Sequence, residues 1–158
     1  FLPVEKEEEL PLVVDYKLKP FNYQLEGIKW LINHENGLLL DVPGLGKTAQ
    51  VIYAAEELKA QKNIKHCLII CGINTLKNNW KREIQKFSNL DCIIIGEKIN
   101  SKGKISYASV KDRAEQLYQP IKEFFVILKN QNHLQRAKKR NLNLTFLSIL
   151  SLLMTTVA

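Results

Sequence analysis

The residues best suited to chemistry lie at positions 37–50, in the sequence GLLLDVPGLGKTAQ. Gly44 and Gly46 lack a Cβ atom, so the backbone there can adopt positive φ angles and turn N–H groups toward a phosphate. Helical periodicity begins at Lys47, and a helix N-terminus favours an anion. An apolar run, a glycine loop and a helix in this order are typical of a phosphate-binding P-loop.

Each residue of this loop has a predicted task in nucleotide binding. The backbone of Gly44, Leu45 and Gly46 would surround the phosphates. Lys47 would neutralise the β- and γ-phosphates, and the hydroxyl of Thr48 would hold a magnesium ion. The generic pattern G-x-x-x-x-G-K-[ST] has glycine at its first position, where this chain has Asp41.

The 158 residues are enough for one domain with a real core, and their net charge of +7 is unevenly distributed. Residues 1–60 carry 6 basic and 10 acidic side chains, whereas residues 61–158 carry 17 basic and 6 acidic ones. This asymmetry predicts a basic face for a polyanion, with nucleic acid as the leading candidate. A lysine-rich solvated surface is the alternative.

The three cysteines predict buried, reduced thiols. Cys67 and Cys71 lie within an apolar run and Cys92 opens another. A metal site needs about four convergent ligands, and only His66 lies nearby. Reduced thiols indicate a cytoplasmic protein.

Periodicity and turn signals predict helices that alternate with strands. Helices are expected from Pro20 to Asn36-Gly37, from the glycine loop to about Ala60, and at residues 76–87 and 109–118. Strands are expected at residues 38–40, 66–72, 92–96 and 124–128, with a polar loop at 98–104. The alternation predicts an α/β fold, with a mainly parallel sheet flanked by helices and the phosphate loop at the carboxyl end of the first strand.

The two ends of the chain differ from its middle. Residues 1–17 form an acidic, extended or weakly ordered lead-in, and residues 18–128 form the predicted lobe. Residues 129–158 form a divergent tail, which is basic at 133–140 and uncharged at 141–158. Asparagine, serine and threonine make the uncharged part too polar for a membrane span of about 20 apolar residues, so membrane insertion is not favoured.

Three blocks, in order, resemble superfamily-two helicases, most closely the Swi/Snf-related DNA-translocating ATPases. The first, FNYQLEGIKWL, is similar to the Q-type motif through Gln24, Gly27 and Trp30. The second, DVPGLGKT, resembles a first ATPase motif that commonly reads DEMGLGKT, so Asp41 is accounted for and Val42-Pro43 replaces Glu-Met.

The third block, LIICGINTLKNNWKREIQKF, is similar to the next motif of that family. Asn79-Trp80 and Glu83 match it, and Gly72 stands where the family usually has proline. In the family this region contacts the DNA backbone. Trp80 fits equally well as a core residue on the buried face of its helix.

The resemblance implies an N-terminal RecA-like lobe that binds ATP and magnesium, with Gln24 reading the adenine. The intact enzyme would couple ATP hydrolysis to movement on DNA and would carry a second RecA-like lobe. The DNA is expected to be duplex. Past Leu128 the resemblance ends, and the chain contains no Asp-Glu pair for the second ATPase motif, Asp-Glu-x-His. No catalytic residue is therefore identified. The expectation is a lobe incomplete at its C-terminus, truncated or frameshifted, that binds nucleotide at best.

Two other interpretations remain open from the residues. One is a different P-loop protein, such as a small kinase or GTPase-like protein, but an Asn-Lys-x-Asp guanine reader is absent from the sequence. The other is a non-catalytic fragment that uses its basic half on nucleic acid or on anionic lipid.

Overall fold

The structure is a computed structural model that describes residues 10–34, 39–40, 42–72, 74–129 and 149–150. The helices within these ranges are α1 (Asn22–Asn33), α2 (Lys47–Lys62), α3 (Asn74–Phe87) and α4 (Val110–Tyr118). The strands are β1 (Cys67–Ile70), β2 (Cys92–Ile94), β3 (Glu97–Ile99), β4 (Ile105–Tyr107), β5 (Phe125–Leu128) and β6 (Ile149–Leu150).

A parallel sheet with the strand order β2-β5-β1-β6 forms the centre of the fold. Strand β5 pairs with β1 on one side and with β2 on the other, and β6 covers the second edge of β1. The predicted α/β fold with a mainly parallel sheet is confirmed. Two residues of the predicted tail, those of β6, belong to this sheet.

Strands β1 and β5 are buried on both faces of the sheet, which is why they are continuous apolar runs. Cys67 and Ile69 of β1 point into a core layer shared with α1, α2 and α3. Leu68 lies in the layer on the opposite face, with Leu117 of α4. This alternation follows from the two-residue period of a strand.

The segment of residues 10–18, here called the strap, crosses three helices without regular secondary structure. Its centre is held by Glu57 of α2, a fully buried residue whose carboxylate accepts the N–H groups of Val13 and Val14 and the hydroxyl of Tyr16 at 2.6–3.1 Å. Lys17 at the other end donates to the carbonyl of Gln85 in α3 at 2.6 Å. The predicted lead-in is therefore extended but firmly anchored where the structure describes it; residues 1–9 lie outside the described part.

Two predicted elements differ in part from the structure. The polar loop predicted at residues 98–104 is confirmed over residues 100–104, but residues 98 and 99 belong to β3, which forms an antiparallel hairpin with β4, with Ile99 opposite Ile105. Three-residue strands with exposed side chains give too short a pattern to be recognised as strands. In the strand predicted at 38–40, Leu39 and Leu40 have no regular secondary structure, and Leu38 lies outside the described residues.

The other helices and strands are confirmed within a few residues. Helix α1 ends at Asn33, and the predicted stop at Asn36-Gly37 lies outside the described residues. The same holds for the predicted tail apart from Lys129 and β6. In the part of the chain that the structure describes, no helix has the length and apolar character needed to cross a membrane.

Candidate functional site

The glycine loop between residue 42 and α2 has the backbone conformation that a phosphate site requires. Gly44 and Gly46 have φ angles of 93° and 69°, as predicted, and Gly46 is the N-cap of α2. Apart from its two chain neighbours, no described residue has an atom within 4 Å of the position that a Cβ on Gly44 would take. The first turn of α2 has no acidic residue, so the positive end of its dipole is not neutralised from within the helix.

Lys47 and Thr48 are the first two residues of α2. The Lys47 ammonium donates a hydrogen bond to the carbonyl of Val42 at 3.2 Å, which brings its charge across the loop. Thr48 is half-buried in the first helical turn. Asp41, the residue at the first P-loop position, lies outside the described residues.

Gln24 contacts this loop from α1. Its Nε2 donates to the Leu45 carbonyl at 3.5 Å, and its Oε1 accepts the N–H of Phe21 at 3.0 Å. A Cβ on Gly46 would lie 2.5 Å from the same Nε2, so Gly46 permits the amide to approach. Gln24 and Leu45, 21 residues apart, thus bring the first two sequence blocks into contact.

Gln50 is a site residue that the sequence analysis missed. From α2 its Nε2 donates to the same Leu45 carbonyl at 3.3 Å, so two amides hold one loop oxygen. Gly27 of α1 faces it: a Cβ there would lie 1.9 Å from Oε1 of Gln50. A glycine inside a helical pattern can mark a position where another element packs closely. Gly27 was therefore the signal in the sequence that pointed to a close neighbour such as Gln50.

Two exposed aromatic rings adjoin Gln24. Phe21 and Tyr23 stack on each other with centroids 5.8 Å apart and planes 7° apart. Large exposed rings next to a buried amide form a surface on which a flat ligand can stack.

The third sequence block forms α3, and Trp80 points into the core with 6% of its surface exposed. The core interpretation of Trp80 is therefore confirmed. Lys77, one turn earlier, is 2% exposed, with its ammonium 5.6 Å from the Tyr107 ring centroid. Burial and then the charges of Arg113 and Lys129 lower the pKa of Lys77. Lys77, Arg113 and Lys129 thus lie close enough for their charges to interact.

The cysteines are unpaired thiols, with Cys67 and Cys71 buried and Cys92 half-buried. Burial raises the pKa of Cys67 to about 12 and that of Cys71 to about 11, so both stay protonated at neutral pH. Within the described ranges no group of three or more His, Cys, Asp or Glu residues could hold a metal ion.

Sequence comparison finds relatives among ATP-dependent DNA enzymes. The chain is 42% identical over 85 residues to the ATP-dependent DNA helicase DDM1 of Arabidopsis thaliana, covering 51% of this chain and 11% of that protein. It is 45% identical over 71 residues to an uncharacterized ATP-dependent helicase of Mycoplasma genitalium, covering 42% and 7%. With the ISWI chromatin-remodeling complex ATPase ISW2 of Saccharomyces cerevisiae, identity is 31% over 121 residues, or 73% and 10%.

Comparison with solved structures finds a chain with the same fold as this one. The SWI2/SNF2 ATPase core of Sulfolobus solfataricus, solved in complex with double-stranded DNA, matches 77% of this chain and 23% of that chain. The TM-score is 0.55 and the sequence identity 23%. The chain spans roughly a tenth of the curated relatives named above and about a quarter of this solved chain.

The family model of the SNF2-related domain matches residues 23–154, which include Gln24, the glycine loop, α3 and the six strands described above. This match covers most of the chain and extends past Leu128, where the motif resemblance ended. The chain belongs to the SNF2-related domain family.

Proposed function

We propose that this chain is the ATP-binding lobe of an ATP-dependent DNA helicase or translocase. The observation that carries the proposal is the contact between Gln24 and the glycine loop at Leu45 and Gly46. It joins a group suited to a base with a backbone suited to phosphates. The whole protein would couple ATP hydrolysis to movement along DNA.

Different residues of the loop would bind different parts of the triphosphate. Gly44 and Gly46 turn the backbone so that N–H groups at the start of α2 face the ligand, where the helix dipole favours an anion. Lys47 exchanges the Val42 carbonyl for phosphate oxygens, which are stronger acceptors because they are charged. Thr48 provides a hydroxyl to magnesium, and the ion would neutralise phosphate charge when bound.

The adenine would bind beside Gln24. An amide can donate and accept at once, which suits the paired donor and acceptor edge of adenine. Phe21 and Tyr23 offer an exposed face for stacking at the same end of α1. Binding would require the Gln24 amide to exchange at least one of its two protein partners for the base.

Duplex DNA is the proposed partner, contacted through its backbone by the carboxyl edge of the sheet. The partly exposed Arg113 and Lys129 near that edge support this, as does the double-stranded DNA bound to the similar SWI2/SNF2 ATPase core. A second RecA-like lobe in the whole protein and a cytoplasmic location are part of the same proposal.

The test is titration of the chain with a non-hydrolysable magnesium–ATP analogue. Lys47→Ala is expected to weaken binding at least about tenfold, because a charge-assisted contact contributes about 1.5–3 kcal/mol. Lys62→Ala, which removes an exposed lysine from the last turn of the same helix, is the matched control. Equal affinity in the wild type and in Lys47→Ala would overturn the phosphate site.

A further inference from the structure

The β3–β4 hairpin, residues 97–107, is basic and partly apolar on its surface. It carries Lys98, Lys102 and Lys104 against one acidic residue, Glu97, and Lys98 forms an ion pair with Asp112 of α4 at 2.9 Å. Ile99 and Ile105 are register partners across the hairpin and are 74% and 54% exposed. Side by side, these two isoleucines form a small exposed apolar patch on the hairpin.

The base of this basic hairpin is fixed to the body of the lobe. Glu97 forms an ion pair with Lys81 of α3 at 3.2 Å. Gly96, just before β3, donates to Gln116 of α4 at 2.7 Å and accepts the N–H of Ala108 at 2.8 Å. Contacts to two helices hold the hairpin at a defined position rather than as a loose loop.

The tip is also ordered by its own backbone. The side chain of Asn100 accepts the N–H groups of Lys102 and Lys104 at 3.0 and 2.9 Å. Gly103 adopts a φ of 72° and donates to the Asn100 carbonyl at 2.9 Å. The two tip lysines are exposed and begin from fixed backbone positions, so little backbone ordering is needed when they bind an anion.

The hairpin extends the positive charge of the carboxyl edge outward from the sheet. It follows directly on β2, and Tyr107 at its end packs under the ammonium of Lys77. Lys77 itself is buried, but Arg113 of α4 is partly exposed, and its Nε donates to the Ala108 carbonyl at the base of the hairpin at 2.9 Å. An extended polyanion could contact Arg113 and the tip lysines together, whereas a small anion could not.

We propose that the basic hairpin is an additional contact to duplex DNA, in which Lys102 and Lys104 bind phosphates and the Ile99–Ile105 pair enters the minor groove. Lysines position a protein on the phosphate backbone, and apolar side chains at a ribbon tip are suited to the minor groove. The inference rests on the DNA binding proposed above and adds a specific element to it.

The experiment measures the affinity of the 158-residue chain for a labelled duplex by fluorescence anisotropy between about 50 and 200 mM salt. Lys102→Ala with Lys104→Ala is compared with Lys65→Ala with Lys122→Ala. The control pair removes two exposed lysines that precede β1 and β5, at the opposite edge of the sheet. Both double variants change the net charge equally.

Losing two phosphate contacts should reduce the salt slope by about 2 and the affinity about tenfold or more near 0.1 M salt. The control pair should change both much less. Ile99→Ser with Ile105→Ser should weaken binding about fivefold at an unchanged slope, because apolar contacts release no counterions. Thermal unfolding of each variant verifies its fold. Lys102→Gln with Lys104→Gln replaces the alanine pair if that pair is unstable.

Equal slopes for the hairpin and control pairs would overturn the inference and leave the ATP site intact. Loss of binding to anionic vesicles with unchanged duplex binding would overturn it in favour of a lipid contact. If the wild type bound no duplex at all, the DNA part of the proposed function would fall with it. The ATP-analogue titration would still decide the phosphate site separately.

Discussion

Gly27 of α1 and Gln50 of α2 approach each other so closely that a Cβ on Gly27 would lie 1.9 Å from Oε1 of Gln50. Gln50 is fully buried, and its other amide atom holds the Leu45 carbonyl of the glycine loop. The packing of two helices is thereby coupled to the shape of the loop. A change at Gly27 should therefore alter the glycine loop without touching it.

Gly27→Ala should destabilise the protein by about 1–3 kcal/mol, the usual cost of overpacking. Alanine inside a helix normally stabilises by roughly 0.5–1 kcal/mol relative to glycine, so the expected sign is the reverse of the ordinary one. Urea unfolding measures this, and titration with the ATP analogue should show weaker binding. Gly72→Ala is the control, since among the described residues other than its chain neighbours no atom lies within 4 Å of its Cβ position. A stabilised Gly27→Ala variant would contradict the tight contact.

Gln24→Ala should distinguish base recognition from support of the loop. Affinity for the ATP analogue should fall about tenfold, since a hydrogen bond to the base and one to Leu45 are both lost. Affinity for inorganic triphosphate should fall less, because only the loop contact matters for it. Gln85→Ala, which removes an exposed amide of α3, is the control. Equal losses for the two ligands would limit Gln24 to a structural role.

Glu57→Gln should make the protein less stable at pH 7 by about 1.5–3 kcal/mol, because the strap loses its charged acceptor. Burial raises the pKa of Glu57, but hydrogen bonds from Tyr16, Val13, Val14 and Gln61 outweigh it and hold the pKa below its usual range. The ionised group therefore stabilises the fold above the unfolded pKa of about 4.3, and this contribution is lost as pH falls through the folded value. The difference from the wild type in urea unfolding should shrink on acidification. A constant difference would contradict it.

Glu56, the preceding residue, should behave in the opposite way. Burial raises its pKa, and Glu57 raises it further, against hydrogen bonds from Ser88 and Asn89. Its Oε2 is buried with no hydrogen-bond partner among the described residues. Ionised Glu56 thus costs stability above its folded pKa, and the cost shrinks as pH falls below that value and is gone below the unfolded pKa of about 4.3. Glu56→Gln should raise stability at pH 7 by about 1 kcal/mol in the same urea assay; a loss like that of Glu57→Gln would show that its charge is stabilising.

The features of the site that depend only on adjacent residues have the geometry that the sequence predicts. The positive φ angles of Gly44 and Gly46 and the helix that starts at Lys47 follow from a few adjacent residues. The role of Gln50 could not be predicted in this way, since it depends on where α1 crosses α2. The hairpin was missed because residues 97–99 and 105–107 are too short and too exposed to show a strand pattern.

The central position of β5 has a consequence for synthesis on the ribosome. Strands β1 and β2 are made first but do not pair with each other; each pairs with β5, which is made later. At roughly 5–20 residues per second, the ribosome needs about two to seven seconds to progress from Ile94 to Leu128. During that interval the apolar runs of β1 and β2 await the strand that joins them. The nascent lobe therefore presents unpaired strand edges for seconds, a period in which a chaperone would find its substrate.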